Sequence, residues 1–253
     1  MKAQKNRTLK VKCLILDHDD TVVKSTPEIN FPAFLQSLKE LRNGMTMSYE
    51  QFVEYNFNPG FYELCYDILH YTPEEVRYQE RVWQDAAAKI IPDVYEGLPE
   101  ILHDFVQNGG KICVSSHSMR ATILRDYEAA GLPEPELIFD WACPEGKRKP
   151  HPYALQETMR ILELKPQELL MVDDLKPGYD MARACGVPFA CAGWSDNQIP
   201  VVREYMRKYC DYYLWTTGEL ERVLYGETES VVGCIGRNKR DVQLHVHTVC
   251  KPF

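Results

Sequence analysis

The sequence has no long apolar run, no closely paired cysteines and no excess of basic residues. Each absence removes a class of function. No stretch approaches the ~20 apolar residues of a membrane-crossing helix, so no span is expected. The basic start, Met1 to Lys12, is followed only by Cys13-Leu14-Ile15-Leu16 before Asp17 intervenes. That run is too short for the core of a secretory signal. Nine cysteines are scattered with no C-x-x-C pair. This predicts reduced thiols and a cytoplasmic setting. Asp and Glu outnumber Lys and Arg by 37 to 29, a net charge of -8. A nucleic-acid partner is therefore not expected. There is no internal repeat and no low-complexity tract. With 45% hydrophobic and 26% charged residues, the 253-residue chain has globular composition, enough for one large domain or a core with a smaller insert.

What the sequence does contain is an alternation of strand and helix patterns. Short apolar runs at Val11 to Leu16, Ile112 to Val114, Leu137 to Phe139, Leu169 to Val172, Pro188 to Cys191 and Tyr212 to Trp215 read as buried strands. Between them, Leu98, Ile101, Leu102, Phe105 and Val106 share one helical face, closed by Gly109-Gly110. Ala121 to Ala130, Tyr153 to Leu162 and Asp180 to Cys185 read as further helices. Continuously apolar strands separated by helices predict an α/β fold: a doubly wound, mostly parallel, Rossmann-like sheet covered on both faces.

One segment breaks the alternation. Between about Ser25 and Val94 only helical patterns occur, on faces built from Phe34, Leu35, Leu38 and Leu41, and from Phe61, Leu64, Cys65, Ile68 and Leu69. Thr72-Pro73-Glu74-Glu75 is a helix start, with Thr72 as cap and Pro73 in the first turn. The expected organisation is an α/β core over 1–24 and 95–226, an inserted all-helical cap over 25–94, and a C-terminal extension over 227–253. In that extension Val231 to Ile235 and the alternating Val242, Leu244 and Val246 suggest a β-hairpin.

Ligands of open α/β sheets bind at the carboxyl ends of the strands. Four predicted strand ends carry reactive residues: Asp17-His18-Asp19-Asp20-Thr21, Ser115-Ser116, Lys149-Pro150-His151-Pro152 before a helix, and Asp173-Asp174. Carboxylates so close together need a cation between them; at ~4 Å and an effective dielectric near 20, a pair repels by about 4 kcal/mol. Oxygen-only, carboxylate-rich sites suit Mg²⁺. An aspartate could then attack phosphorus, with a second acid to protonate the leaving oxygen. Asp19 fits the second task, because side chains two apart on an extended backbone point the same way.

These motifs, in this order, resemble the haloacid dehalogenase-like hydrolases, in the branch with a helical cap after the first strand. The resemblance rests on D-x-D-x-T at Asp17, Asp19 and Thr21, serine after a strand at Ser115, Lys149 in K-P-H-P, and Asp173-Asp174 after a strand. It runs from residue 10 to about 220, and Asp174-x-x-x-Gly178 is similar to the phosphoglycolate phosphatase and β-phosphoglucomutase group. The resemblance implies a phosphoric monoester hydrolase in which Asp17 is the nucleophile and Asp19 the acid and base. It implies Lys149 as the charge-neutralising residue, with Ser115, Ser116 and Lys149 binding phosphate. It places Mg²⁺ among Asp17, Asp19, Asp173 and Asp174, with Asp19 contributing its backbone carbonyl. Asp20 stands where many members carry glycine. An acid at Asp19 argues against halide displacement.

The expected substrate is a small phosphorylated metabolite of the cytoplasm, with neither nucleic acid nor membrane as partner. A phosphomutase of the same fold and a non-catalytic phosphate- and metal-binding protein are the other readings. His18 and His117 lie near the motifs; packing is the ordinary role for such neighbours. The run Lys147-Arg148-Lys149 would ordinarily be a solvated surface. His245 and His247 share one side of a strand pattern without a third ligand nearby. Asn56, Asn58, Arg77 and Arg81 are polar candidates in the cap, and its many aromatic residues are chiefly helix packing.

Overall fold

The computed structural model describes residues 7–227. Six strands form one sheet: β1 Cys13–Leu16, β2 Lys111–Ser115, β3 Leu137–Phe139, β4 Leu169–Asp173, β5 Phe189–Ala192 and β6 Tyr212–Leu214. All neighbouring pairs are parallel, in the order β3-β2-β1-β4-β5-β6. Each apolar run singled out in the sequence is one of these strands, although β1 begins at Cys13 rather than Val11.

Between β1 and β2 lie α1 Phe31–Leu41, α2 Tyr49–Phe57, the single turn α3 Phe61–Glu63, α4 Pro73–Lys89 and α5 Leu98–Gln107. Then come α6 Arg120–Ala129, α7 Tyr153–Leu162, α8 Lys176–Cys185, α9 Pro200–Tyr209 and α10 Thr217–Tyr225. α8 starts four residues before the expected Asp180, because Pro177 fits the first turn of a helix. α9 and α10 are additions to the sequence reading. None of the described helices is long and apolar enough to cross a membrane.

The strand interiors are apolar because both faces of the sheet are covered. Leu14 and Leu16 pack with Leu98, Leu102, Phe105, Ile123, Leu220 and Leu224; Cys13 and Ile15 pack with Leu155, Met181, Val202 and Met206 on the other side. The two-residue alternation of a strand makes that division. Full burial of a Leu or Ile contributes ~1.5–3 kcal/mol.

The helices between Thr26 and Lys89 build a third cluster of their own, from Phe34, Leu38, Phe52, Leu64, Cys65, Leu69 and Val76. α4 starts as the sequence indicates: Thr72 Oγ1 accepts from the Glu75 N–H at 3.2 Å, and Glu75 Oε2 accepts from the Thr72 N–H at 2.8 Å. One expectation in this segment changes. After α3 the chain makes a wide turn in which the Leu69 N–H reaches Leu64 O at 2.9 Å, a five-residue step. The extra residue rotates the helical face. Leu64 and Cys65 stay buried, while Ile68, expected inside, is 40% exposed.

The segment departs from and rejoins the sheet side by side. Val23 lies opposite Val94, Lys24 N–H donates to Asp93 O at 2.8 Å, and Tyr95 N–H donates to Val22 O at 3.1 Å. α2 also leans on the core: Phe57 meets Tyr205 edge-on, and Tyr49 Oη donates to Asn197 Oδ1 at 2.7 Å. The expected C-terminal hairpin, with His245 and His247, lies outside the described residues.

Candidate active site

The strand register builds the site. β1 is central, with Leu16 level with Val114 of β2 and Val172 of β4. The next residue on each strand is Asp17, Ser115 or Asp173, so all three reach the carboxyl edge in one row. The strand order reverses direction at β1 and β4, and that switch point opens a crevice. A cavity of about 610 Å³ lies there, lined among others by Asp17, Asp19, Lys149, Asp173 and Asp174.

Lys149 comes from the loop before α7, yet its Nζ sits 2.8 Å from Asp17 Oδ1 and 2.6 Å from Asp173 Oδ2. It is the buried counter-charge to the two strand-end acids, not part of a solvated basic run. Burial works to discharge this ammonium, but Asp17 and Asp173 outweigh it and hold its pKa above the ordinary value. Burial pushes the Asp17 carboxyl up to about 7, against the pull of Lys149 and with a further rise from Asp173 and Asp19.

Asp174 is fixed from the loop after β5: Ser195 Oγ donates to its Oδ2 at 3.0 Å and Asn197 Nδ2 at 2.8 Å. Burial, with Asp173, Asp20 and Asp17 nearby, raises its pKa well above the usual carboxylate range. α8 passes close behind. A Cβ added to Gly178 would fall 2.2 Å from Asp173 Oδ2, so only glycine fits there.

Asp17, Asp173 and Asp174 offer carboxylate oxygens that all lie within 4.8 Å of one another, and all three residues are buried. At that spacing and an effective dielectric near 20, each pair of ionised carboxylates repels by roughly 3–4 kcal/mol. One ammonium cannot offset three such acids. Oxygen-only donors with an uncompensated negative charge fit a small hard divalent cation.

The Asp19 carboxyl lines the cavity but lies outside that trio. It accepts from Ser25 Oγ at 2.5 Å, Ser118 Oγ at 2.7 Å, Ser116 Oγ at 3.3 Å and Asn30 Nδ2 at 3.5 Å. Burial alone would raise its pKa, but the His18 ring and the bonds from Ser118, Ser25 and Asn30 hold it below the ordinary value. Asp20 adopts a left-handed conformation, φ 55°, and its carboxyl accepts from the Thr26 N–H. Glycine and, less freely, aspartate tolerate that conformation, which accounts for both residues at this position.

The hydroxyls divide their work differently from the sequence reading. Ser116 is occupied with Asp19 and with the Ser118 N–H, and neither it nor Ser115 lines the cavity. None of these serines caps α6; Asp140 Oδ2 accepts from the Arg120 N–H there. His18 is buried and bonded to Asp126, whereas His117 faces the cavity. Asn56 and Asn58 also line it. Arg77 pairs instead with Glu74 at the surface.

Ser25, Asn30, Ser118, Ser195 and Asn197 were not read from the sequence. The last two follow β5, a fifth strand end that the carboxyl-edge rule also covers.

A family model described as haloacid dehalogenase-like hydrolase matches residues 11–186. Among solved structures, the chain is similar to a protein designated a phosphoglycolate phosphatase from Lactobacillus delbrueckii subsp. bulgaricus. The TM-score is 0.69 at 17% identity, covering 86% of this chain and 99% of that one. A haloacid dehalogenase-like family hydrolase from Streptococcus pneumoniae gives 0.61 at 15% identity, covering 78% and 91%. CbbY from Rhodobacter sphaeroides, in complex with phosphate, gives 0.59 at 17% identity, covering 72% and 85%. No curated protein is similar enough in sequence to count as a match. At these identities the structures speak for the fold; the family model, spanning well over half of the chain, speaks for descent. The chain belongs to the haloacid dehalogenase-like hydrolases.

Proposed function

We propose that the protein is a Mg²⁺-dependent phosphatase that hydrolyses a small phosphomonoester through an aspartyl-phosphate on Asp17. The observation that carries this reading is the meeting of Asp17, Asp173, Asp174 and Lys149 at the head of one cavity. Phosphoryl transfer needs little else from a protein than positioning and charge stabilisation.

Lys149 holds Asp17 by Oδ1, which leaves Oδ2 to attack phosphorus. The same ammonium lets a phosphate dianion approach the three buried acids. Asp19 gives its proton to the departing alcohol oxygen and then takes one from the water that cleaves the acyl-phosphate. It rests as the base; the incoming phosphate charge raises its pKa, so that it takes up a proton from solvent as substrate binds and holds it for the acid step. Ser115 and Ser116 are the proposed donors to the phosphoryl oxygens after local movement. Asp17, Asp173, Asp174 and the Asp19 carbonyl would hold Mg²⁺, which when bound supplies neutralising charge at the phosphate.

In this reading residues 25–94 form a cap over a core of 1–24 and 95–226, and exclude bulk water from the cavity. The substrate is a phosphorylated metabolite, in keeping with the phosphate and xylulose-1,5-bisphosphate bound by CbbY. A cytoplasmic location and the absence of nucleic-acid partners belong to the same proposal.

The test is hydrolysis of an aryl phosphate with and without Mg²⁺, by wild type and Asp17→Asn. Activity should need the ion and fall at least ~10³-fold in the variant. Turnover that survives Asp17→Asn refutes the nucleophile. A phosphorylated enzyme that returns its phosphoryl group to a sugar would mark a mutase instead.

A further inference from the structure

Three Lys or Arg side chains line the cavity: Arg148, Lys149 and Lys176. Two are already neutralised, Lys149 by Asp17 and Asp173, and Lys176 by Asp180. Arg148 is different. Its Nε donates to Cys143 O at 2.7 Å, and its guanidinium carbon lies 3.8 Å from the centre of the Trp141 ring. Among the described residues no carboxylate lies within ion-pairing distance of it, and neither of its terminal nitrogens has a hydrogen-bond partner. The indole and the carbonyl fix the plane of the group without neutralising it. What remains is a preorganised fork of N–H donors, the geometry that takes a carboxylate or phosphate two bonds at a time.

A second polar group lines the same cavity. Gln79 of α4 is only 4% exposed, lines the cavity and has no hydrogen-bond partner among the described residues. Its amide opens on the cavity and is available to a polar group of a ligand. The cavity thus offers an unpaired cation and a free amide in addition to the phosphate-reacting acids.

We propose that Arg148 anchors a second anionic group on the substrate, so that the alcohol being released carries a carboxylate or a further phosphate at its far end. Gln79 bonds to an oxygen between the two ends. This inference rests on the phosphatase reading for its first end and adds the recognition of the second.

The experiment uses three- and six-carbon phosphomonoesters that differ only at the far terminus: hydroxyl, carboxylate or phosphate. Wild type should favour one or both charged termini over the hydroxyl by ~10- to 100-fold in kcat/KM, the span that hydrogen bonds to charged groups allow. The carboxylate and phosphate arms distinguish the two sources of charge. In Arg148→Gln the preference should collapse towards unity through KM. Lys147→Gln, which removes an ammonium lying over Tyr153 outside the cavity wall, should keep it. Calorimetric binding of the same compounds to Asp17→Asn, with and without Arg148→Gln, reads the preference apart from turnover. Absence of hydrolysis by wild type would therefore sink the phosphatase alone. Equal affinity for charged and neutral termini, or an equal loss for both in Arg148→Gln, would overturn the anchor.

Discussion

Asp17 holds a proton more tightly in the metal-free fold than an exposed aspartate does, because burial and the acids around it raise its pKa from 3.8 to about 7. The sign follows from linkage. A carboxyl with a raised folded pKa favours the fold fully below its unfolded value, and that contribution is lost as pH rises from about 4 through 7. Asp20 and Asp174, both raised by burial first, act in the same direction. Asp19, held low, acts only at more acid pH. We predict that the melting temperature of the chelated protein falls across that window. Asp17→Asn should flatten the fall and melt higher than wild type at pH 8. A melting temperature that stays level across the window in scanning calorimetry would show that these acids are not crowded. Gly178 carries a second prediction at this scale. Gly178→Ala must displace Asp173 or α8, with an expected cost of ~1–3 kcal/mol in stability. A shift of Asp173 by ~1 Å should lower kcat/KM by about 10²-fold. Asp17, Asp173 and Asp174 were legible in the sequence because they stand at the ends of apolar strand blocks, and Lys149 because it precedes a proline and a helix. Ser118, Asn30, Asn197 and Arg148 were not; their partners come from other loops, and no spacing along one chain encodes that meeting.

Among the elements, α4 and α6 are tied by one side chain. Arg125 Nη1 donates to Ala87 O at 2.7 Å and Nη2 to Ile90 O at 2.9 Å, at the carboxyl end of α4. The same guanidinium pairs with buried Asp126, which holds His18 beside the proposed nucleophile. Arg125→Ala should leave the last carbonyls of α4 without their donor and the Asp126 carboxylate with His18 alone. We expect a loss of ~1–3 kcal/mol and faster amide exchange over residues 86–94, with little change in α7. Uniform exchange in both helices would refute the tie. At this scale the strands were easy to read, since burial on both faces writes them as apolar blocks. α9 was passed over although Val202, Tyr205, Met206 and Tyr209 have helical spacing; its polar residues hid the stripe. Ile68 was misplaced because a five-residue turn has no signature in a periodicity of 3.6.

For the whole molecule, binding of a divalent ion by three buried acids should stabilise the fold by mass action, about 2.7 kcal/mol at a concentration 100 times the dissociation constant. Adding Mg²⁺ to the chelated protein should therefore raise its melting temperature, and more so at pH 8 than at pH 6, where Asp17 holds its proton. A melting temperature indifferent to Mg²⁺ would remove the metal from the proposal. The doubly wound architecture was legible from the alternation of blocks, and the helical character of the long excursion after β1 from its lack of any strand block. How that excursion leans on α9 was not, because the contact joins residues more than a hundred positions apart.

The hydrogen-bonded neck at Val22 to Lys24 and Asp93 to Tyr95 has a consequence for variation in this fold. Since its two limbs already touch, the sheet is indifferent to how much polypeptide is looped out beyond them. Helices there can lengthen, shorten or be exchanged for others with no strain on the strands, as long as Ser25 and Asn30 still reach Asp19 and Tyr49 still reaches Asn197.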